Sequence, residues 1–245
     1  MINLSSFIGF HARRTPERPA LKYRGEEISY ATLDARIRKA AGWLAAQGIG
    51  AGDVVAVLMK NSAAFLELVF ATSHLGAVFL PINFRLSLDE VGYIAGNAGA
   101  RLLIVDEELA ANAAGARIVV LNEAAQQSVT HLAGGAPPAS MHVRQPSDLM
   151  RLMYTSGTTD RPKGVMLTYD NFYWKSADQT IALGLTAETR LLVVGPLYHV
   201  GALTCPASPC SGMAASSASS AISSPRPHLL RSRRTSSTPP GSRRS

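Results

Sequence analysis

Residues 154–164 read Tyr-Thr-Ser-Gly-Thr-Thr-Asp-Arg-Pro-Lys-Gly, which places the hydroxyls of Thr155, Ser156, Thr158 and Thr159, the glycines Gly157 and Gly164, and the amine of Lys163 in one short stretch. Those residue types together suit a polyphosphate. Hydroxyls and free backbone N–H groups wrap phosphate oxygens, glycine lets the backbone approach closely, and lysine supplies a point charge. The preceding run, Leu149 to Tyr154, predicts a strand that delivers the loop to a sheet edge. The loop is not of the Gly-x-x-x-x-Gly-Lys-Ser/Thr kind, because Pro162 precedes Lys163 and Gly164 follows it, leaving no hydroxyl in the magnesium position.

The stretch resembles the signature loop of the adenylate-forming (AMP-binding) superfamily, which holds the phosphates of ATP with the pattern Thr-Ser-Gly-Thr-Thr-Gly-x-Pro-Lys-Gly. Asp160 stands where that pattern has glycine. Aspartate tolerates turn and left-handed backbone, so the loop can form, but its carboxylate must turn away from the phosphates or face a cation. Further motifs carry the resemblance along the chain. Ile28-Ser29-Tyr30-Ala31-Thr32-Leu33 is similar to an early helix-opening motif. Gly52-Asp53-Val54-Val55-Ala56 with Asn61-Ser62 is similar to a strand and the helix start after it. Gly76 to Leu86, ending Pro-Ile-Asn-Phe-Arg-Leu, looks like the fatty-acyl and aryl-acyl CoA ligases rather than the amino-acid-activating modules. Pro196-Leu197-Tyr198-His199-Val200-Gly201 is similar to a segment that lies by the acyl pocket.

The resemblance implies an ATP-dependent acyl-CoA ligase: carboxylic acid, ATP and coenzyme A give acyl-CoA, AMP and pyrophosphate through an acyl-adenylate. It implies phosphate contacts from Thr155, Ser156, Gly157, Thr158, Thr159, Lys163 and Gly164, and a role for His199 in orienting the acid. It implies ATP, Mg2+ and coenzyme A as participants, and a medium- or long-chain fatty acid as the default substrate. An acyl-AMP ligase or aryl-acid activating enzyme is the alternative within the superfamily. A non-catalytic nucleotide-binding fragment with a basic tail is the alternative outside catalysis.

The elements that must position these loops alternate. A hairpin is predicted from Ala20–Tyr23 and Glu27–Ser29 about Arg24-Gly25-Glu26. Leu33, Ile37, Ala40, Ala41 and Leu44 fall on one face of a helix from Tyr30 to Gln47. Strands are predicted over Asp53–Met59, Val78–Ile82, Arg101–Asp106, Arg117–Leu121 and Arg190–Gly195, with a nearly all-apolar helix over Ser62–Leu75. Ser87 and Glu90 form a capping-box pattern, and Thr168 is placed as the N-cap of a helix to about Leu183. This alternation predicts an α/β fold with a largely parallel sheet, and the resemblance implies that it is the partial N-terminal domain of the family.

Composition changes at residue 204. From there to the end the chain has no Asp, Glu, Lys, Val, Phe, Tyr or Trp, and carries six arginines and both cysteines, Cys205 and Cys210. Removing those six from the 24 Lys+Arg leaves 18 against 17 Asp+Glu, so six of the seven formal positive charges belong to the tail, and the charge is no argument for a nucleic-acid partner. Two cysteines without matched His or Cys partners make a weak metal site, and none is assigned. The reading divides the chain into a ligase domain, 1–203, and a disordered Ser/Pro/Arg-rich tail, 204–245, read as an out-of-frame product. No Tyr-Gly-x-Thr-Glu or Thr-Gly-Asp segment occurs, and on that ground the 245 residues alone are expected to be inactive. The longest apolar region, Ala63 to Ile82, is interrupted by Glu67 and His74, and the N-terminus has no secretory pattern, so a cytoplasmic protein is expected.

Overall fold

The computed structural model describes residues 3–134, 136–155, 161–199 and 201–202, with the backbone of 212–215. The order is α1 (Leu4–Arg14), β1 (Pro19–Tyr23), β2 (Glu26–Ser29), α2 (Tyr30–Ala46), β3 (Val54–Leu58), α3 (Ala63–Leu75), β4 (Val78–Pro81), α4 (Leu88–Asn97), β5 (Ala100–Asp106), β6 (Arg117–Leu121) and α5 (Glu123–Gln127). After a long connection come β7 (Leu149–Thr155), β8 (Lys163–Thr168), α6 (Tyr169–Ala182), β9 (Arg190–Val193) and β10 (Gly212–Ala215).

Six strands form the larger sheet in the order β6-β5-β3-β4-β7-β8, parallel except for the last pair. The step from β3 to β4 runs one way along this sheet, and the step from β4 to β5 runs back past β3. Right-handed crossovers that reverse direction place their helices on opposite faces. The cores bear this out. Val55 and Val57 join a cluster with α2 and α3, whereas Ala56 and Leu58 join one with α4. Leu102 and Ile104 alternate with Leu103 and Val105 in the same way, the period-2 signature of a strand buried on both faces. A smaller sheet, β2-β1-β10-β9, shares the core of α1 to α3 through Leu21, Ile28 and Val193.

Local signals place the ends of the elements. Arg24 and Gly25 both take positive φ, 47° and 87°, which matches a tight hairpin turn to the strand twist. Ser62 caps α3 through the amide of Phe65, and Gly76 ends the helix at φ 73°. A Cβ at position 76 would also lie 2.6 Å from the ring of His142, so glycine is required there on two counts. The capping box of Ser87 and Glu90 forms as predicted, and Thr168 pairs reciprocally with Asn171 at the start of α6.

Leu4–Arg14 adds a helix for which the sequence carried no expectation, with Asn3 capping it. Two further segments differ from the sequence-based expectation. Lys163 and Gly164 sit in β8 rather than in a loop, because their backbone groups complete the antiparallel ladder with β7. Gly212–Ala215 pairs in parallel with β1 and β9, although it falls in the compositional tail. For those four residues the unstructured expectation does not hold, since an interior strand is held by backbone groups that every non-proline residue carries.

Candidate functional site

The parallel strands β3, β4, β5 and β7 end at one edge of the larger sheet, the edge at which open α/β sheets bind ligands. Thr155, the last residue of β7, pairs in register with Lys163, the first of β8. The two ends of the hydroxyl-rich stretch therefore face each other across one strand pair, and Thr155, Lys163 and Gly164 are exposed. Ser156, Gly157, Thr158, Thr159 and Asp160 lie outside the described residues.

Both ends of this hairpin are tied to α4. The Tyr154 hydroxyl donates to Asn97 Oδ1 at 2.6 Å, and the Arg161 guanidinium lies 5.2 Å from the ring centre of Tyr93. Tyr93 and Asn97 are four residues apart and share a helix face. Burial, with Tyr93 nearby, pushes the Tyr154 hydroxyl above its ordinary pKa and keeps it a donor.

The His199 loop is held from three strands. Asn61, just beyond β3, donates from Nδ2 to the Gly195 carbonyl at 2.8 Å and accepts at Oδ1 from the Leu197 amide at 2.8 Å. Phe84, beyond β4, meets the Tyr198 ring edge-on at 5.5 Å between centres. Arg151, within β7, donates from Nη2 to the Tyr198 carbonyl at 2.8 Å. Leu197 is buried in the core while His199 is exposed, its amide donating to the Pro196 carbonyl at 3.0 Å. The Pro81–Leu86 segment, strand β7 and the His199 segment, far apart in sequence, thus meet in one place.

Burial lowers the Arg151 pKa to about 10, so the guanidinium stays charged at neutral pH. At the end of β5, Asp106 accepts from the Lys60 amide at 2.8 Å, and burial raises its carboxyl to about 6. Among the described residues there is no group of three or more His, Cys, Asp or Glu side chains that could hold a metal ion.

The model of the family described as "AMP-binding enzyme" matches residues 10–231, nine-tenths of the sequence and past the compositional break at 204. The chain belongs to the AMP-binding enzyme family. A feruloyl-CoA synthase from Amycolatopsis sp. is 38% identical over 199 residues, covering 78% of this chain and 38% of that protein. A 2-succinylbenzoate–CoA ligase from Geobacillus kaustophilus is 35% identical over 211 residues, covering 83% of this chain and 41% of that one. Among solved structures, apo MatB from Rhodopseudomonas palustris superposes with a TM-score of 0.77 at 32% identity, covering 87% and 45% of the two chains. The N-terminal domain of FACL13 from Mycobacterium tuberculosis gives 0.79 at 28% identity, covering 88% and 57%. The chain spans about two-fifths of the length of the curated relatives it matches. These relatives are CoA ligases by name, and the α/β fold is that of their N-terminal domains.

In this AMP-binding domain, sequence reading singled out Thr155, Lys163 and His199 but missed what holds them: Asn61, Phe84, Tyr93, Asn97 and Arg151. Asn61 was legible only as part of a helix start. Arg151 had one signal, a charge inside an otherwise apolar strand. No helix among the described residues is long and apolar enough to cross a membrane.

Proposed function

We propose that this domain binds the polyphosphate of ATP and takes part in activating a carboxylic acid as its adenylate for transfer to coenzyme A. The observation that carries the reading is the Thr155–Lys163 strand pair, which sets a hydroxyl and an ammonium opposite each other and in solvent at the carboxyl edge of the sheet. Thr155, Ser156, Gly157, Thr158, Thr159, Lys163 and Gly164 contact phosphate oxygens. Lys163 offsets the charge that builds up as the carboxylate attacks the α-phosphate and pyrophosphate leaves. His199, on the loop held by Asn61, Phe84 and Arg151, orients the acid. The family implies ATP, Mg2+ and coenzyme A as participants. A magnesium ion would screen the phosphate charge.

The acid is the finer question. Relatives that carry ferulate and 2-succinylbenzoate in their names support an aromatic carboxylate. The Pro81–Leu86 motif and a fatty acyl CoA synthetase among the structural neighbours support a fatty acid. Calorimetric binding of ferulate, 2-succinylbenzoate and decanoate to the ATP-loaded chain separates the two.

The direct test is ATP binding by calorimetry. Lys163→Ala is expected to weaken binding about tenfold, the loss of one charge-assisted contact. Unchanged affinity in Lys163→Ala and Thr155→Val would overturn the reading. The composition change at 204 has its own test, sequencing of the coding DNA across that codon. A second frame continuing with Tyr-Gly-x-Thr-Glu and Thr-Gly-Asp segments would support an out-of-frame tail.

A further inference from the structure

Arg151 is 1% exposed, in the strand that leads into the phosphate loop. Its place in register beside Phe79 of β4 is one that an apolar side chain would fill at less cost. Removing a guanidinium from water costs several kcal/mol unless a counter-charge and further hydrogen bonds offset it. Among the described residues no carboxylate pairs with Arg151, and its Nε is buried without a partner. What the charge does have is one short directed bond, Nη2 to the Tyr198 carbonyl at 2.8 Å, and a looser approach to Met153 Sδ at 3.6 Å.

That carbonyl belongs to the same peptide unit as the His199 N–H, which itself donates to Pro196 at 3.0 Å. The unit from which the His199 side chain departs is therefore gripped at both ends, and a cationic donor on its oxygen polarises the N–H opposite. Asn61 fixes the neighbouring groups at Gly195 and Leu197. The other end of the linkage is β7 itself, which runs from Arg151 to Thr155 without interruption.

We propose that Arg151 is a positioning residue that couples the phosphate-loop strand to the His199 peptide, so that a polyphosphate on the loop is felt at His199. The proposal rests on the function given above. A neutral side chain of similar length would fill the same space but could not make a charge-assisted bond to Tyr198.

The test uses the full chain with histidine labelled for NMR, a His199→Gln spectrum for assignment, and inorganic tripolyphosphate as the probe. Two quantities are read: exchange protection of the His199 amide without ligand, and the shift of its imidazole signals on adding tripolyphosphate. Arg151→Met is expected to bind the probe as the wild type does, to lose about tenfold in amide protection, and to lose most of the imidazole response. Arg151→Lys should recover part of both. A purely space-filling role would leave the imidazole response intact wherever the probe still binds, and that result overturns the coupling. If Arg151→Met does not fold, Arg151→Gln decides in the same way. Failure of the wild-type chain to bind the probe would sink the functional reading and the ligand coupling with it. Amide protection in the ligand-free variants then decides the positioning of His199 by Arg151 alone.

Discussion

The ring of Tyr154 lies across Gly164 on the neighbouring strand, so close that a Cβ at 164 would sit 3.0 Å from Tyr154 Cζ. The pairing explains why glycine follows Lys163: the space a side chain would take is occupied by the ring that ties β7 to α4. Gly164→Ala should push the ring aside, strain the bond to Asn97 and cost about 1–2 kcal/mol. Tyr154→Phe removes only that bond and should cost about 1 kcal/mol. Chemical denaturation checks both. Equal stability of Gly164→Ala and wild type would show that the ring is free to move.

Asn61 holds the His199 loop with a donor and an acceptor at once, which no isosteric residue reproduces. Asn61→Ala should lose about 1–3 kcal/mol, and Asn61→Asp should not rescue it, because a carboxylate oxygen would then face the Gly195 carbonyl. Urea unfolding measures the loss, and amide exchange at Leu197 locates it. An Asn61→Asp variant as stable as wild type would remove the clamp from the account.

Stability should fall as pH rises from about 5 to 8. Glu67 is fully buried on α3, where its carboxylate accepts from Ser128 Oγ at 3.0 Å and the Val129 amide at 2.9 Å, with Arg36 Nη1 at 3.6 Å. Burial is the larger influence and lifts its pKa from 4.5 to about 7. The folded protein therefore holds a proton that the unfolded chain releases, and the contribution is full below pH 4.5 and gone above about 7. Its size is on the order of 3 kcal/mol. Asp106, raised to about 6, acts in the same direction. His74 acts against both, since burial lowers its pKa and its contribution is lost as pH falls below 6.5. Thermal midpoints across this range should flatten in Glu67→Gln, and a slope unchanged by that substitution would rule Glu67 out as its source.

Trp174 and Ile181, seven residues apart on α6, are 64% and 81% exposed, and Phe7, Phe172 and Tyr173 line a cavity of about 240 Å³ beside them. Apolar surface of this kind favours association. The purified chain should bind a hydrophobic dye and scatter light at high concentration, and Trp174→Lys with Ile181→Lys should reduce both. A wild-type chain that stays monomeric and binds no dye contradicts this.

The sequence alone determined whatever depends on neighbours along the chain. The caps at Ser87 and Thr168 were legible because a hydroxyl must reach an amide three residues on. The strands β3 and β5 were legible as short apolar runs, and the hairpin about Gly25 from its turn residues. The hydroxyl, glycine and lysine composition of 154–164 gave the phosphate chemistry on which the proposed function rests. Tertiary structure decided which of these pieces meet. Asn61 reaches Leu197 across 136 positions, and Arg151 reaches Tyr198 across 47. The burial of Arg151, beside β4, and of Glu67, against Ser128 and Val129, depends on strand order and crossover direction. Those are settled by the packing of all the elements together, because a side chain's surroundings in a parallel sheet are supplied by segments far away in the sequence.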